Sequence, residues 1–150
     1  MKNQLNKNLI ERFSRQIVLK NIGPIGQKKI LSSKVLVAGA GGLGSPLVEF
    51  LSRAGIGTIG VVDNDKVSLS NLHRQSLYLT ADVGKSKVRI AKDKIKKINP
   101  NTKIIAYNLR LDKINFKKII NEYDYIVDGS DNFKTKFLLN DFCLKFKKVL

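Results

Sequence analysis

From Lys34 onward, short apolar runs rich in β-branched residues alternate with longer stretches of helical period, the pattern of a parallel sheet covered on both faces. Lys34 to Ala38 (KVLVA) predicts a buried strand that runs directly into the glycine-rich turn Gly39 to Gly44. Leu47, Val48, Leu51 and Ala54 recur at helical spacing and predict a helix over about Ser45 to Ala54, and Thr58 to Asp63 (TIGVVD) predicts the second strand. Asn64 to Ala81 is polar, aperiodic and too long for a simple connection, which marks it as a functional loop. Gly84 to Ile98 carries Val88, Ala91, Ile95 and Ile98 on one face, and Asn99-Pro100 stops it. Lys103 to Tyr107 predicts a third strand, about Asn115 to Asn121 a short helix, and Tyr125 to Asp128 (YIVD) a fourth strand. Asp131 to about Phe146 reads as helix, with Phe133, Phe137, Leu138, Phe142 and Phe146 as its apolar members, and Val149-Leu150 opens another apolar run.

Ahead of the first strand, Leu5 to Leu19 predicts one amphipathic helix with Leu5, Leu9, Phe13 and Ile17 in line and with Arg12 and Arg15 three apart on its flank. Ile22 to Leu31, with two glycines and a proline in its first turn, is expected to serve as a connector. The pattern therefore predicts an α/β fold: a Rossmann-like, doubly wound, mostly parallel sheet behind an N-terminal helical extension. Because such a sheet rarely stops one residue into a strand, the chain is expected to be incomplete at its C-terminus.

Composition narrows the classes. The chain has 150 residues, 43% hydrophobic, with one cysteine. At that length one domain buries roughly two-thirds of its unfolded surface without help from cross-links. The single Cys143 excludes an intrachain disulfide or a multi-thiolate zinc site and fits a reducing, cytoplasmic compartment. No apolar run approaches the ~20 residues of a membrane span, and Met1 to Asn8 is polar with no apolar signal core. The formal charge is +16, yet 22 of the 28 cations are lysines spread from Lys2 to Lys148, and a nucleic-acid footprint would instead cluster on one face with aromatics interleaved. No specific nucleic acid is expected; anionic small molecules and acidic proteins fit the charge.

The chemistry is carried by the turn and the loop after it. Gly39-Ala40-Gly41-Gly42-Leu43-Gly44 satisfies G-x-G-x-x-G directly after a strand and at the opening of a helix. A side chain there would block the tight turn and keep the backbone from a phosphate, whose charge the helix N-terminus stabilises. Asp63 ends the next strand 24 residues after Gly39, near the separation expected of a carboxylate that hydrogen-bonds ribose hydroxyls. A tight turn with an incidental acidic residue is the bland alternative. Asp65, Asn71, Arg74 and Gln75 follow in the loop, and Lys85 and Lys87 open the next helix. Arg74 and Lys87 can converge on one polyphosphate at the C-terminal end of the sheet, and two cations beyond the backbone donors favour a triphosphate over a dinucleotide.

Taken together, GAGGLG, a D-x-D followed by SLSNLHRQ, VGKSKV, GSDN and an N-terminal ERFSRQ resemble the ThiF/MoeB/HesA family, relatives of the ubiquitin-activating E1 enzymes, over about Leu9 to Leu150. The resemblance implies a nucleotide-binding domain over 34–150 and a helical extension over 1–33. It implies ATP- and magnesium-dependent adenylation of the C-terminal glycine carboxylate of a ubiquitin-like sulfur-carrier protein ending in Gly-Gly, by a homodimer. On matching positions, Gly39, Gly41, Gly42 and Gly44 form the nucleotide turn, with the backbone of Gly41 and Gly42 closest to the ligand. Asp63 binds ribose, Asp65 either contacts the ligand or orients the loop, and Asn71, Arg74 and Lys87 bind phosphate. Asp131 holds magnesium, and Arg15 reaches the ATP of the other subunit. Zinc and a catalytic cysteine belong to the part of the family that would follow Leu150. Arg12 receives no role, Lys85 and His73 are expected to be solvated or non-catalytic, Asp128 to satisfy backbone donors, and Cys143 to be a core thiol. Two rival classes stay open: a Rossmann oxidoreductase using NAD or FAD, and a non-catalytic nucleotide-binding remnant.

Overall fold

A computed structural model describes residues 5–150. Four strands, β1 (Lys34–Ala38), β2 (Thr58–Val62), β3 (Lys103–Tyr107) and β4 (Tyr125–Asp128), form one wholly parallel sheet in the order β3-β2-β1-β4. Parallel strands need crossovers, and the crossovers supply the covering layers. Alternation within β1 divides the core: Val35 and Val37 join α4 (Gly44–Ala54) and α5 (Lys87–Ile98) through Val48, Val88, Ala91 and Ile95. Leu36 and Ala38 face the opposite way, with Ile126 of β4, into α6 (Lys113–Ile119) and α7 (Phe133–Phe146) through Phe116, Leu139 and Cys143. Gly60 stands in mid-strand because a Cβ there would collide with the Tyr123 hydroxyl. Val149 pairs in parallel with Tyr125, so the apolar run at the chain's end does lie beside β4.

Several expected elements are corrected. The predicted helix from Leu5 to Leu19 is two, α1 (Lys7–Arg12) and α2 (Ser14–Ile17), broken at Phe13, whose φ of −106° and ψ of 14° leave the helical region. Of the four apolar residues expected in line, only Phe13 is fully buried. The supposed connector is a ten-residue helix, α3 (Gly23–Ser32), because Pro24 sits in the first turn, where its missing N–H costs nothing. Helix α5 starts at Lys87 rather than Gly84, which has a φ of +84° and closes the loop before it. The short helix over 115–121 begins earlier, at Lys113, where Asp112 caps it, and ends in a 3₁₀ turn over Ile120–Glu122. The buried face of α7 carries Leu139 and Cys143, while Phe133 and Phe137 point out to solvent. Residues 1–4 of the N-terminal extension, and with them part of the Met1 to Asn8 stretch, lie outside the described residues. No described helix is long and apolar enough to cross a membrane.

The N-terminal helices dock on the ends of α4 and α5. Phe13 fills the space over Gly55, where a Cβ would stand 2.6 Å from its ring, and Gly55 caps α4 with a φ of +96°. Gln16 and Gln27 both donate to the Ala54 carbonyl, at 3.4 and 3.1 Å, and Arg12 Nη1 donates to the Ile98 carbonyl at 3.2 Å. Arg12, left without a role by the sequence, therefore completes the C-terminus of α5. Truncating the anchor should leave a cavity that the α4–α5 corner cannot close: Phe13→Ala is expected to cost about 3–5 kcal/mol in denaturant unfolding, and a loss under about 1 kcal/mol would mean that the extension does not dock there.

Candidate functional site

The chain runs outward from β1 to β2 and β3, then returns to the other side of β1 as β4, so the sheet has its topological switch point between β1 and β4. There the turn after β1 meets the turn after β4. The Gly129 N–H donates to the Ala38 carbonyl at 2.8 Å, and a Cβ on Gly39 would stand 2.6 Å from the Gly129 oxygen. Over this junction opens a cavity of about 750 Å³. Its walls bring together Gly39, Gly41 and Gly42 with Asp63, Asp65, Asn71, Arg74, Lys87 and Asp131.

The four motif glycines separate by function. Gly39 has a φ of +98° and no room for a side chain, and Gly44 is buried with its Cα against the Gly39 carbonyl. These two make the turn possible, and Gly44 does not line the cavity. At Gly41 and Gly42 a Cβ would meet only flexible side chains, Gln75 Nε2 at 3.7 Å and Arg74 Cδ at 3.2 Å. Their lack of side chains leaves bare backbone facing the cavity.

Around that backbone the polar groups are held in place. Asp63 Oδ2 accepts from the Ala40 N–H and Oδ1 from the Asp65 N–H, each at 2.7 Å, which leaves each oxygen a free lone pair toward the cavity. Asn71 Oδ1 accepts from Arg74 Nη2 at 3.1 Å, and Arg74 Nη1 lies 3.3 Å from His73 Nε2. Lys87, only 3% exposed, places Nζ 3.0 Å from Asp65 Oδ2, whose own side chain is 63% exposed. Asp65 thus orients the lysine. Lys85 is solvated, 3.9 Å from Asp82, and Cys143 is buried in the core. Arg15 is exposed, lies outside its own chain's cavity and has no ion pair among the described residues.

Tyr78 was not legible in the sequence, Gln75 was legible only as a member of the loop, and Asp128 only as a carboxylate satisfying backbone donors. The Tyr78 hydroxyl donates to the Ala40 carbonyl at 2.8 Å, and Gln75 is buried in the cavity wall with Oε1 unpartnered. The apolar triplet Leu77-Tyr78-Leu79 inside a polar loop was the available signal that this segment folds back onto the core. Asp128 accepts from the Ser130 N–H (2.9 Å), the Ser130 hydroxyl (2.6 Å) and Lys136 Nζ (2.8 Å), and so fixes the loop that presents Asp131. Partial burial by itself would raise the Asp128 carboxyl, but the hydrogen bonds from Lys136 and Ser130 outweigh it and hold it below the usual range. Among the described residues, no three His, Cys, Asp or Glu stand close enough to hold a metal, so a cation at Asp131 needs other oxygens to complete its shell.

Comparison with known proteins agrees with this geometry. The ThiF family profile matches residues 13–150. The chain belongs to the ThiF family. A sulfur carrier protein adenylyltransferase of Thermus thermophilus is 44% identical over 144 residues, covering 96% of this chain and 53% of that protein. A probable molybdopterin-synthase adenylyltransferase of Porphyra purpurea is 46% identical over 138 residues, covering 92% and 36%. This ThiF-family chain thus spans about half of the first relative and about a third of the second. The solved structure of E. coli tRNA N6-threonylcarbamoyladenosine dehydratase, TcdA, in complex with ATP superposes with a TM-score of 0.88 at 26% identity, over 98% of this chain and 60% of that one.

Two outcomes check the site as built. Gly44→Ala drives a Cβ into backbone and should cost about 3 kcal/mol or more, whereas Gly42→Ala should stay within about 1 kcal/mol of the parent by equilibrium unfolding. Asp128 has a depressed folded-state pKa, so its stabilisation is present above the ordinary carboxylate value and is lost as pH falls through the depressed one. Asp128→Asn should accordingly lower stability at pH 7 and flatten its decline below about pH 4, measured as unfolding midpoint against pH; an unchanged slope would contradict the ion pair.

Proposed function

We propose that this chain is the nucleotide-binding part of a cytoplasmic enzyme that uses ATP to adenylate the C-terminal glycine carboxylate of a ubiquitin-like sulfur-carrier protein, releasing pyrophosphate. The observation that carries the reading is the convergence of Asn71, Arg74, Lys87 and Asp131 with the bare Gly41–Gly42 backbone on one cavity at the switch point. A nicotinamide dinucleotide offers only a pyrophosphate, largely met by backbone donors, and would leave Arg74 and Lys87 with no phosphate of their own to neutralise. The names of the Thermus and Porphyra relatives support the reaction class.

The reaction needs no general base. A peptide carboxylate is already ionised at neutral pH, its pKa being about 3.5. The barrier is repulsion between two anions, the incoming carboxylate and the polyphosphate, with further charge developing on departing pyrophosphate. Arg74 and Lys87 offset that charge from fixed positions, Lys87 through its hold on Asp65 and Arg74 through Asn71. Asp63 uses its remaining lone pairs for ribose hydroxyls, and Gly41 and Gly42 offer backbone to the phosphates. Asp131 is suited to hold Mg²⁺ together with phosphate oxygens, and the ion would neutralise charge on the transferring group. Arg15 projects from a segment pinned by Phe13 on one side and Gln16 on the other, and its exposed side chain has no ion pair among the described residues. In a homodimer it supplies a cation to the partner's nucleotide.

The test is ATP–pyrophosphate exchange with a Gly-Gly-ending carrier. Arg74→Ala and Asp131→Ala should each lower it by about a hundredfold or more. Mixing inactive Arg15→Ala and Asp131→Ala chains in equal amounts should restore about a quarter of the parent rate, because half the dimers are mixed and each has one intact site. No recovery would sink the role in trans. NADH binding indifferent to Arg74→Ala would favour an oxidoreductase, and ATP binding without exchange a non-catalytic module.

A further inference from the structure

We propose that Tyr78 is a positioning residue of the nucleotide site: its hydroxyl locks the peptide between Ala40 and Gly41 so that the Gly41 N–H faces the phosphates of bound ATP. The inference rests on the ATP reading above. Two anchors hold the peptides flanking Ala40. Its N–H donates to Asp63 Oδ2 at 2.7 Å, and its carbonyl accepts from the Tyr78 hydroxyl at 2.8 Å. In a planar trans peptide the C=O and the following N–H point opposite ways. The first anchor therefore turns the Gly39 carbonyl away from Asp63, and that oxygen does lie against the Gly44 Cα. By the same rule the second anchor turns the Gly41 N–H away from Tyr78, which is 4% exposed in the core, and toward the cavity that Gly41 lines. The Gly41 N–H donates to nothing among the described residues.

Tyr78 also ties the turn to the phosphate loop. Its N–H donates to the Gln75 carbonyl at 3.1 Å, one residue past Arg74, whose side chain lies over Gly42. The loop thus grips the glycine turn from the solvent side with Arg74 and from the core side with Tyr78. Burial, with the charge of Asp63 adding to it, pushes the phenol far above its ordinary pKa, so it remains a neutral donor wherever the chain is folded. Glycine at position 41 makes the clamp necessary. A residue without a Cβ leaves its peptide free to rotate, and only an external bond fixes which way its N–H points.

Tyr78→Phe removes the hydroxyl and keeps the ring. Calorimetry on the chain should show ATP affinity falling about tenfold while adenosine affinity changes less than about twofold, since one oriented donor to phosphate is lost. A merely structural tyrosine would lower the unfolding midpoint and leave the ATP-to-adenosine ratio unmoved, which overturns the proposal. In the wild type, exchange of the Gly41 amide should be fast without ligand and slow at least tenfold with saturating ATP, while the Ala40 amide is protected in both states. That measurement decides the question even if the variant does not fold, and an unchanged Gly41 rate counts against Tyr78. A wild type that binds no ATP overturns the nucleotide reading and this inference with it; ATP binding with an unmoved ratio overturns Tyr78 alone.

Discussion

The site depends on one close approach, that of the backbone after β1 to the backbone after β4. A Cβ on Gly39 would stand 2.6 Å from the Gly129 oxygen, and one on Gly129 would press against the Gly39 oxygen at 3.2 Å. This contact exists because β4 returns to pair with β1 and so brings the glycine turn and the Asp131 loop side by side. Every polar group at the rim is placed relative to that junction. Asp63 and Tyr78 hold the peptides flanking Ala40 on one side of it, and Asp128 with Ser130 holds the loop on the other. A sheet with β4 at another position would keep all the motifs and lose the cavity.

Charge at the rim follows a common plan, in which a carboxylate holds a neighbouring cation or loop in place. Asp65 holds Lys87, and Asp128 holds Lys136 and the Ser130 loop. In a chain with 16 excess positive charges, such pairings, together with that of Lys94 to Asp82 at 2.9 Å, set the structurally committed lysines apart from the many that decorate solvent faces. The same distinction applies to the arginines near the N-terminus. Arg12 is used up on the Ile98 carbonyl, whereas the exposed side chain of Arg15, three residues on, makes no hydrogen bond or ion pair among the described residues.

The N-terminal helices are part of the same construction. Phe13 breaks what would be a continuous helix because burying its ring over Gly55 is worth more than one uninterrupted run of backbone hydrogen bonds. The helical periodicity of Leu5, Leu9, Phe13 and Ile17 carried no information about that break, since the decision was made by a glycine some forty residues away.

The sequence by itself determined the order and type of the elements from Lys34 onward, because β-branched runs and helical periodicity are local properties, and it determined the glycine turn, Asp63 and the loop cations through their spacing. It also marked Lys87 and Asp131 through motif resemblance. Only the tertiary structure decided which glycines serve the fold and which leave backbone bare, since Gly39 and Gly41 are alike as letters and differ only in what lies opposite them. It alone assigned Arg12 and Tyr78, whose roles are hydrogen bonds to residues eighty-six and thirty-eight positions away, and it added Lys136 to the backbone donor expected at Asp128. It also turned Phe133 and Phe137 outward, where an apolar reading of their helix put them inside. Pattern along a chain reports what a residue prefers; the residue's partner is set by where the strands cross.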